Sequence, residues 1–195
     1  MASRVVRLPA RMKRVATVLL LAAVAATGLT GCKRHHESPE PEGQNVIVDG
    51  LTYNVFITRE LNLRDPEDHD YFQGAEAPPG YNFYGVFIQV CNDVNHTHGG
   101  ASTPVNNFRI VDTEGKQFSP TPLPPTNVFA YRPRPLSAKQ CIPTPGSAAA
   151  TGPIGGSLLL FKIPVAAIEN RPFDLEINPQ GPGPVPDDRR IELDI

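Results

Sequence analysis

Twenty-two prolines in a chain of 195 residues constrain this fold more than any other feature of the sequence. Many of them lie in three clusters, at 119–125, 132–135 and 179–186. Because proline lacks a backbone N–H and clashes with a preceding helical turn, these clusters exclude long continuous helices and mark exposed connections or sheet edges. The only helical stretch that we expect is a turn or two at 164–170, where Pro164 can occupy an early position.

Between the proline clusters, short runs of residues alternate apolar and polar side chains in the manner of β-strands. Residues 51–57 do so with one apolar face, whereas residues 84–91 carry apolar groups on both faces, which predicts a central strand. Residues 108–118 predict a hairpin around a turn that contains Gly115. Further short strands are expected at 127–131, 139–142, 156–163, 173–177 and 191–195. Seven or eight strands in about 150 residues predict an all-β fold, an antiparallel β-sandwich.

The first 31 residues have the anatomy of a secretory signal. A nearly apolar run at 15–30 follows five basic residues and no acid: Arg4, Arg7, Arg11, Lys13 and Arg14. Positive charge stays in the cytoplasm while such a run enters the membrane. Because sixteen residues are fewer than the roughly 20 that span a bilayer as a helix, we predict a cleaved signal rather than a retained transmembrane helix.

Cys32 closes the run Leu29-Thr30-Gly31-Cys32 directly behind this apolar stretch. The pattern resembles a bacterial lipoprotein signal, in which Cys32 becomes the diacylglycerol-bearing first residue of the mature protein. The alternative is a cleaved signal with an incidental thiol. Two or three acyl chains on one residue anchor a protein stably, so we expect a lipid-anchored protein on the extracytoplasmic face of the cell membrane.

The sequence divides into a signal peptide at 1–31, a lipidated flexible tether at 32–45 and one β-sandwich domain at 46–195. The tether is expected to be disordered because residues 33–43 contain no large apolar side chain that could anchor them. Removing the signal leaves 13 Lys and Arg against 20 Asp and Glu, a formal charge of −7. Such a surface repels nucleic acid and anionic lipid headgroups, so neither is an expected partner.

Once Cys32 is lipidated, Cys91 and Cys141 remain, and a pair of this kind in an exported chain usually forms a disulfide. In the alternative, Cys91 is a nucleophile, since His96 and His98 follow it closely. Neighbouring sequence does not orient a base onto a thiol, however. The signatures Gly-x-Ser-x-Gly and His-Glu-x-x-His and a Gly-rich phosphate loop do not occur in the sequence. We expect a structural disulfide, no enzymatic activity and no cofactor.

Two groups of residues could bind metal ions. Five potential ligands occupy six positions of one loop: Asp65, Glu67, Asp68, His69 and Asp70. They could bind calcium, but the spacing departs from the EF-hand, and the alternative is a solvated loop whose Asp side chains cap a turn. His96 and His98 lie two apart and could bind zinc or copper, with His69 completing the site if the fold brings the two loops together.

The segment 118–135 combines prolines with aromatic and basic side chains, namely Phe129, Tyr131, Arg132 and Arg134. This combination suits a protein-binding or glycan-binding edge. In the alternative, Phe129 belongs to the core and the prolines protect a sheet edge from aggregation.

Several motifs together resemble a known class of exported domain. They are residues 53–57, Leu61-Asn62, 65–68 with Tyr71, 84–87, Asn92, 112–115 with Phe118 and Pro120, and 156–164 with Phe161. This set covers most of residues 46–178 and resembles the immunoglobulin-like, telokin-like domains of unknown function that lipoproteins of Gram-positive bacteria carry. The resemblance implies an immunoglobulin-like sandwich outside the cytoplasm, with no established chemistry for particular residues.

The expected function is that of a membrane-anchored extracytoplasmic lipoprotein that acts as a non-catalytic binding or interaction module at the cell envelope. Its expected partners are the membrane, through the N-terminal lipid, and a protein or glycan of the envelope. The alternative is an extracytoplasmic lipoprotein that binds zinc, copper or calcium.

Overall fold

The computed structural model of the protein describes residues 38–93, 101–177, 181 and 183–195. Within these residues the chain forms eleven strands: β1 (Glu40–Pro41), β2 (Asn45–Val48), β3 (Leu51–Leu61), β4 (Tyr81–Cys91), β5 (Phe108–Val111), β6 (Gln117–Phe118), β7 (Pro120–Thr121), β8 (Cys141–Ile142), β9 (Ser157–Pro164), β10 (Phe173–Ile177) and β11 (Arg190–Leu193). The short helices are α1 (Pro66–Tyr71), α2 (Ala148–Thr151) and the 3₁₀ helices Val165–Asn170 and Asp187–Arg189. None of the helices in this part of the chain is long and apolar enough to cross a membrane.

The strands form two sheets. Sheet A has the order β1-β11-β10-β5-β6, and sheet B has the order β2-β3-β4-β9-β7, with β8 also paired to β4. Every pair is antiparallel among the described strands except β1 with β11, which is parallel. The predicted β-sandwich is confirmed. The strand number exceeds the expected seven or eight because several strands are pairings of only two residues.

The core lies between the two sheets and follows from the alternation of side chains along each strand. In sheet B, Tyr53, Val86 and Ile88 are fully buried. Phe108 and Leu175 of sheet A belong to the same apolar cluster. The rings of Tyr53 and Phe108 pack edge to face with their centroids 6.5 Å apart, which joins the two sheets directly.

Sheet B is covered on its outer face as well. Its outward apolar side chains form a second cluster with Tyr71 of α1: Leu61, Phe83, Phe87, Leu158 and Leu160. Strand β4 lies between β3 and β9 and has residues buried on both faces, so the prediction of a central strand is confirmed. The helix and loops that cover this face also form the walls of a cavity.

The predicted boundary between tether and domain is wrong. Residues 40–41 pair with β11, and residues 45–48 form β2 at the edge of sheet B. Glu42 fixes the stretch between them, because its carboxylate accepts hydrogen bonds from the backbone N–H groups of Thr58, at 2.6 Å, and Asp194, at 3.1 Å. Backbone pairing and a polar anchor therefore order a segment that contains no large apolar side chain, and residues 32–37 lie outside the described residues.

Two strand predictions in the proline-rich half were too long. Residues 127–131 form a turn with one bridge, between Ala130 and Leu158, rather than a strand. The Asn127 side chain causes the turn, because its Oδ1 accepts hydrogen bonds from the N–H groups of Phe129 and Ala130. The strand predicted at 139–142 is reduced to β8.

Other local predictions agree with the structure. The hairpin predicted at 108–118 is β5 and β6, and Gly115 has the positive φ of 79° that its turn requires. The short helix predicted at 164–170 is the 3₁₀ helix Val165–Asn170. The structure confirms the disulfide between Cys91 and Cys141, which lie opposite each other on β4 and β8. In this form Cys91 carries no thiolate and is not a nucleophile.

Candidate functional site

A cavity of about 360 Å³ lies between the end of α1 and the loop at 124–129, over the outer face of sheet B. We call it the loop cavity. Its lining is half apolar and half polar: Asp70, Phe72, Gln73, Gly74, Pro124, Thr126, Asn127, Val128 and Phe129. A cavity of this size and composition falls within the range of small-ligand sites.

Helix α1 forms one wall, and its short sequence explains why it stops where it does. Asp65 caps the N-terminus by accepting a hydrogen bond from the N–H of Glu67, and Pro66 occupies the first turn, where no N–H is needed. Asp68 is 2% exposed and is held to β3 by the Arg59 guanidinium at 2.6 Å. Its second oxygen accepts a hydrogen bond from the backbone N–H of residue 62 at 2.8 Å. These contacts fix the helix on the sheet.

Aromatic packing forms the floor. The Tyr71 ring lies edge-on to Phe87 and to Phe129, with centroids 4.9 Å apart in each pair. The Tyr71 hydroxyl accepts a hydrogen bond from the N–H of Ile154 at 2.9 Å, and burial raises the pKa of this phenol. Phe72 packs edge-on to Phe83 at 5.2 Å. The half-buried rings of Phe72 and Phe129 are therefore held from beneath, while one side of each lines the cavity.

Asn127 joins the two walls. Its Nδ2 donates to the Tyr71 carbonyl at 2.8 Å, while its Oδ1 accepts from the N–H groups of Phe129 and Ala130 at 2.9 and 3.0 Å. Both ends of the amide are thus used within the protein. The cavity is preorganised, because its walls cannot separate without breaking the bond from Asn127 to Tyr71.

Three polar side chains at the cavity have no such role. Asp70, Gln73 and Thr126 are exposed and line the cavity. None of them forms a side-chain hydrogen bond or ion pair with any residue that the structure describes. Val128 stands beside them and is 66% exposed, which is high for an apolar side chain. These groups are free to contact a ligand.

Among the described residues that line the cavity there is no Ser, Cys, His, Lys or Tyr, and Asp70 is the one carboxylate. The described lining offers hydrogen-bond donors and acceptors around an apolar floor. Such an arrangement can recognise a ligand.

The predicted acidic loop is mostly structural. Asp65 caps α1, as the capping alternative expected. Glu67 and Asp68 instead pair with Arg59, and Asp68 is buried rather than solvated. His69 lies exposed on the last turn of the helix. Within the described residues, no group of three or more His, Cys, Asp or Glu side chains is placed to hold a metal ion. Cys32 and the predicted ligands His96 and His98 lie outside those residues.

In the predicted binding edge at 118–135, most of the named side chains make contacts within the protein, and one of them lines the loop cavity. Tyr131 is buried, donates its hydroxyl proton to the Val105 carbonyl at 2.8 Å, and has a pKa raised by burial. Arg132 donates to the carbonyls of Leu123 and Pro124. Arg134 likewise binds within the chain, at the Cys141 carbonyl and the Thr144 hydroxyl. Phe129 packs on Tyr71 at the edge of the second apolar cluster, in agreement with the core alternative, and it also lines the loop cavity.

A second cavity, of about 410 Å³, lies on the outer face of sheet A, and we call it the charged cavity. The register places Glu176 opposite both Arg109 and Arg190. The Arg109 guanidinium binds Glu176 and the carbonyls of Gly181 and Gly183, so it holds the connection before β11 against the sheet. Opposite charges here largely satisfy one another, which favours a structural role.

Asp174 is the exception within the charged cavity. It pairs with Arg190, but its Oδ1 is buried and accepts no hydrogen bond from any residue that the structure describes. Burial raises the pKa of the Asp174 carboxyl, and the nearby carboxylates of Glu192 and Glu176 add to that shift, while Arg190 opposes it. The environment thus disfavours the charged form of this acid.

Sequence reasoning missed Gln73 and Thr126, and no local motif marks either residue. It also missed the charged row of sheet A. The sequence did contain a signal for this charged row, because polar positions on strands with alternating side chains are occupied by four charged residues: Arg109, Asp174, Glu176 and Arg190.

Comparison with known proteins adds little to this description. No protein-family model matches the chain, and no curated protein matches it significantly. Among solved structures, the chain is similar to an uncharacterized β-sandwich protein from Clostridium difficile 630, with 9% identity and a TM-score of 0.36. That similarity covers 83% of this chain and 97% of the other. The assignment to the β-sandwich class rests on the two sheets themselves.

Proposed function

We propose that this protein is a lipid-anchored extracytoplasmic lipoprotein of the telokin-like, immunoglobulin-like type, and that it acts as a non-catalytic binding module at the cell envelope. The loop cavity is the observation that carries the binding role. Its walls are fixed by Asn127, whereas Asp70, Gln73 and Thr126 have no partner among the described residues. Polar groups that the fold does not use, held around an apolar floor, are what a binding site requires.

The proposed location rests on the N-terminal sequence and on the cysteines. Cys32 follows a basic and apolar segment in the pattern of a lipoprotein signal. The Cys91–Cys141 disulfide is consistent with export, since disulfides persist mainly in oxidising compartments. Several acyl chains on Cys32 would hold the domain at the membrane surface, close to envelope ligands.

Membrane fractionation of the full chain tests the anchor. The wild-type protein should sediment with membranes, and its mature N-terminal peptide should carry the mass of diacylglycerol on Cys32. Cys32→Ser should lose that mass. A wild-type protein that is soluble, or whose mature N-terminus lacks lipid, would contradict the proposed anchor.

The binding role is tested with envelope material that is isolated from the producing bacterium and freed of membrane lipid, so that the N-terminal lipid cannot cause sedimentation, and with the full chain purified in detergent. The wild-type protein should cosediment with this material, and the double variant Asp70→Ala/Gln73→Ala should cosediment much less. Gln44→Ala and Asp188→Ala provide matched controls, because both side chains are exposed and lie outside the loop cavity. Equal sedimentation of wild type and double variant would remove the loop cavity from the proposal.

A further inference from the structure

We propose that the loop cavity binds an uncharged carbohydrate, seated on Phe72 and Phe129 and hydrogen-bonded by Asp70, Gln73 and Thr126. This inference rests on the proposed binding function and names the ligand class of the same site. It depends on four properties of the cavity: its apolar floor, its free polar groups, its charge and its rigidity.

The floor of the cavity offers an aromatic surface on which the apolar face of a sugar ring can lie. The Phe129 ring rests edge-on against Tyr71, with centroids 4.9 Å apart. The Phe72 ring rests edge-on against Phe83, with centroids 5.2 Å apart. The rings are therefore fixed, and both line the cavity. A pyranose ring has a face made of C–H groups, whose slightly positive hydrogens suit the negative face of an aromatic ring. Val128, 66% exposed, extends this apolar surface at the cavity.

The polar groups match the hydroxyls of a sugar. The Asp70 carboxylate accepts hydrogen bonds through two oxygens, while the Gln73 amide and the Thr126 hydroxyl both donate and accept. Sugar hydroxyls need donors and acceptors side by side, and this set provides both. Because these side chains have no partner within the described residues, binding would break no existing hydrogen bond of the protein.

The charge of the lining selects against anionic ligands. Within the part of the chain that the structure describes, Asp70 is the one ionisable residue of the lining, and no Lys, Arg or His lines the cavity. Arg132, on the same loop, already donates to the carbonyls of Leu123 and Pro124. A phosphate or uronate would meet a carboxylate without a compensating cation, which is unfavourable. An uncharged sugar meets no such penalty.

Size and rigidity favour a small glycan over a flat protein surface. The cavity volume of about 360 Å³ lies at the lower end of the range for small-ligand sites, which suits one or two sugar rings. Protein interfaces are broad and usually contain a cluster of exposed aromatic residues. Here the aromatic rings lie half-buried in a concave site, and Asn127 fixes its walls.

Titration calorimetry on the full chain in detergent tests the inference, with cellobiose, maltose and N,N′-diacetylchitobiose as neutral probes. At least one should bind, with a Kd of about 1 mM or lower. Glucuronic acid and glucose 6-phosphate serve as charged probes and should bind at least about tenfold more weakly. Asp70→Ala/Gln73→Ala should weaken binding of the neutral probe by about tenfold or more, whereas Gln44→Ala and Asp188→Ala should leave it unchanged.

Three results would overturn the inference: no neutral probe binds, the charged probes bind as well as the neutral ones, or the control variants weaken binding as much as the double variant. The two assays together distinguish a failure of this inference from a failure of the proposed function. If the neutral probes fail while Asp70→Ala/Gln73→Ala still abolishes cosedimentation with the envelope, the cavity binds a ligand of another class. If both assays are insensitive to the double variant, the cavity is not a binding site.

Discussion

Asn127→Ala is the sharpest test of the contacts that build the loop cavity. The Asn127 amide binds the Tyr71 carbonyl on one wall and two backbone N–H groups, of Phe129 and Ala130, on the other. Alanine removes all three bonds without adding bulk. The variant should therefore be less stable, and its cavity walls should separate.

The magnitude follows from which groups lose their only partner. The N–H of Ala130 also faces the Asn127 carbonyl at 3.4 Å, so it retains an acceptor. The Tyr71 carbonyl and the Phe129 N–H lose theirs. At about 1 kcal/mol for each hydrogen bond in a partly buried position, Asn127→Ala should lower the free energy of unfolding by about 2 kcal/mol.

Asn127→Asp is the matched control, because it keeps the acceptor that holds the turn but removes the donor to Tyr71. It should cost about 1 kcal/mol, roughly half the effect of alanine. Urea unfolding followed by circular dichroism, with the disulfide intact, measures both values. The slope of free energy against urea should stay constant, which indicates that the same surface is exposed on unfolding.

Two results would refute this reasoning. If the free energy of unfolding of Asn127→Ala lies within about 0.5 kcal/mol of the wild-type value, water replaces the three bonds at no cost and Asn127 does not hold the walls. If Asn127→Asp is as stable as the wild type, the donor to the Tyr71 carbonyl contributes nothing. If Asn127→Ala is destabilised as expected, it should also bind any ligand of the cavity with lower affinity than the wild type.

Replacing Cys91 and Cys141 together by alanine should lower the free energy of unfolding by about 4 kcal/mol, because their separation of 50 residues defines the loop that the disulfide closes in the unfolded chain. Urea titration checks this value, and a loss below about 1 kcal/mol would contradict it. Burial raises the pKa of Tyr53 from 10.0 to about 12, so the folded state holds its proton longer and stability should fall as pH rises from 10 to 12. Tyr53→Phe should flatten that part of the pH profile of the unfolding free energy, and an unchanged slope would contradict the assignment. Gly156→Ala should cost about 2 to 3 kcal/mol, since its φ is 106° and the new Cβ would lie 3.0 Å from a backbone carbon of β4. Gly115→Ala, with φ at 79° and open space around it, should cost about 1 kcal/mol, and equal melting temperatures of the two variants would count against the steric argument.

The sandwich could be predicted because its long strands carry their burial pattern in the sequence. Alternation at 51–55 identified the inward face of β3, and apolar residues on both faces at 84–91 identified β4 as central. The prediction that Ile57 lies on the same buried face is wrong, because a β-bulge between Val55 and Ile57 shifts the register and leaves Ile57 39% exposed. Both signals depend on the two-residue repeat of a strand, which needs no knowledge of the partner strands. The strands of two residues carry no such repeat, and β7 and β8 depend on the neighbours that they pair with.

The loop cavity could not be predicted, because its parts come from distant positions. Gln73 and Thr126 are ordinary polar residues in loops. The two loops are brought together by the bond from Asn127 to Tyr71 and by the packing of Phe129 on the Tyr71 ring. Nothing in residues 70–74 points to 124–129. The tether boundary failed for a related reason, since Glu42 is ordered by the backbone of Thr58 and Asp194, far away in sequence.

The central position of β4 has a consequence for how the chain folds. Strand β3 precedes it closely, so these two can pair early, whereas residues 92–156 separate β4 from β9. Pairing across such a distance in sequence is slow. Until Ser157–Pro164 arrives, the newly made chain therefore exposes an edge of β4 that is apolar on both faces, and an edge of that kind readily pairs with other chains. Refolding yield should consequently fall as protein concentration rises, because the exposed edge of β4 can pair with another copy of the chain before β9 covers it.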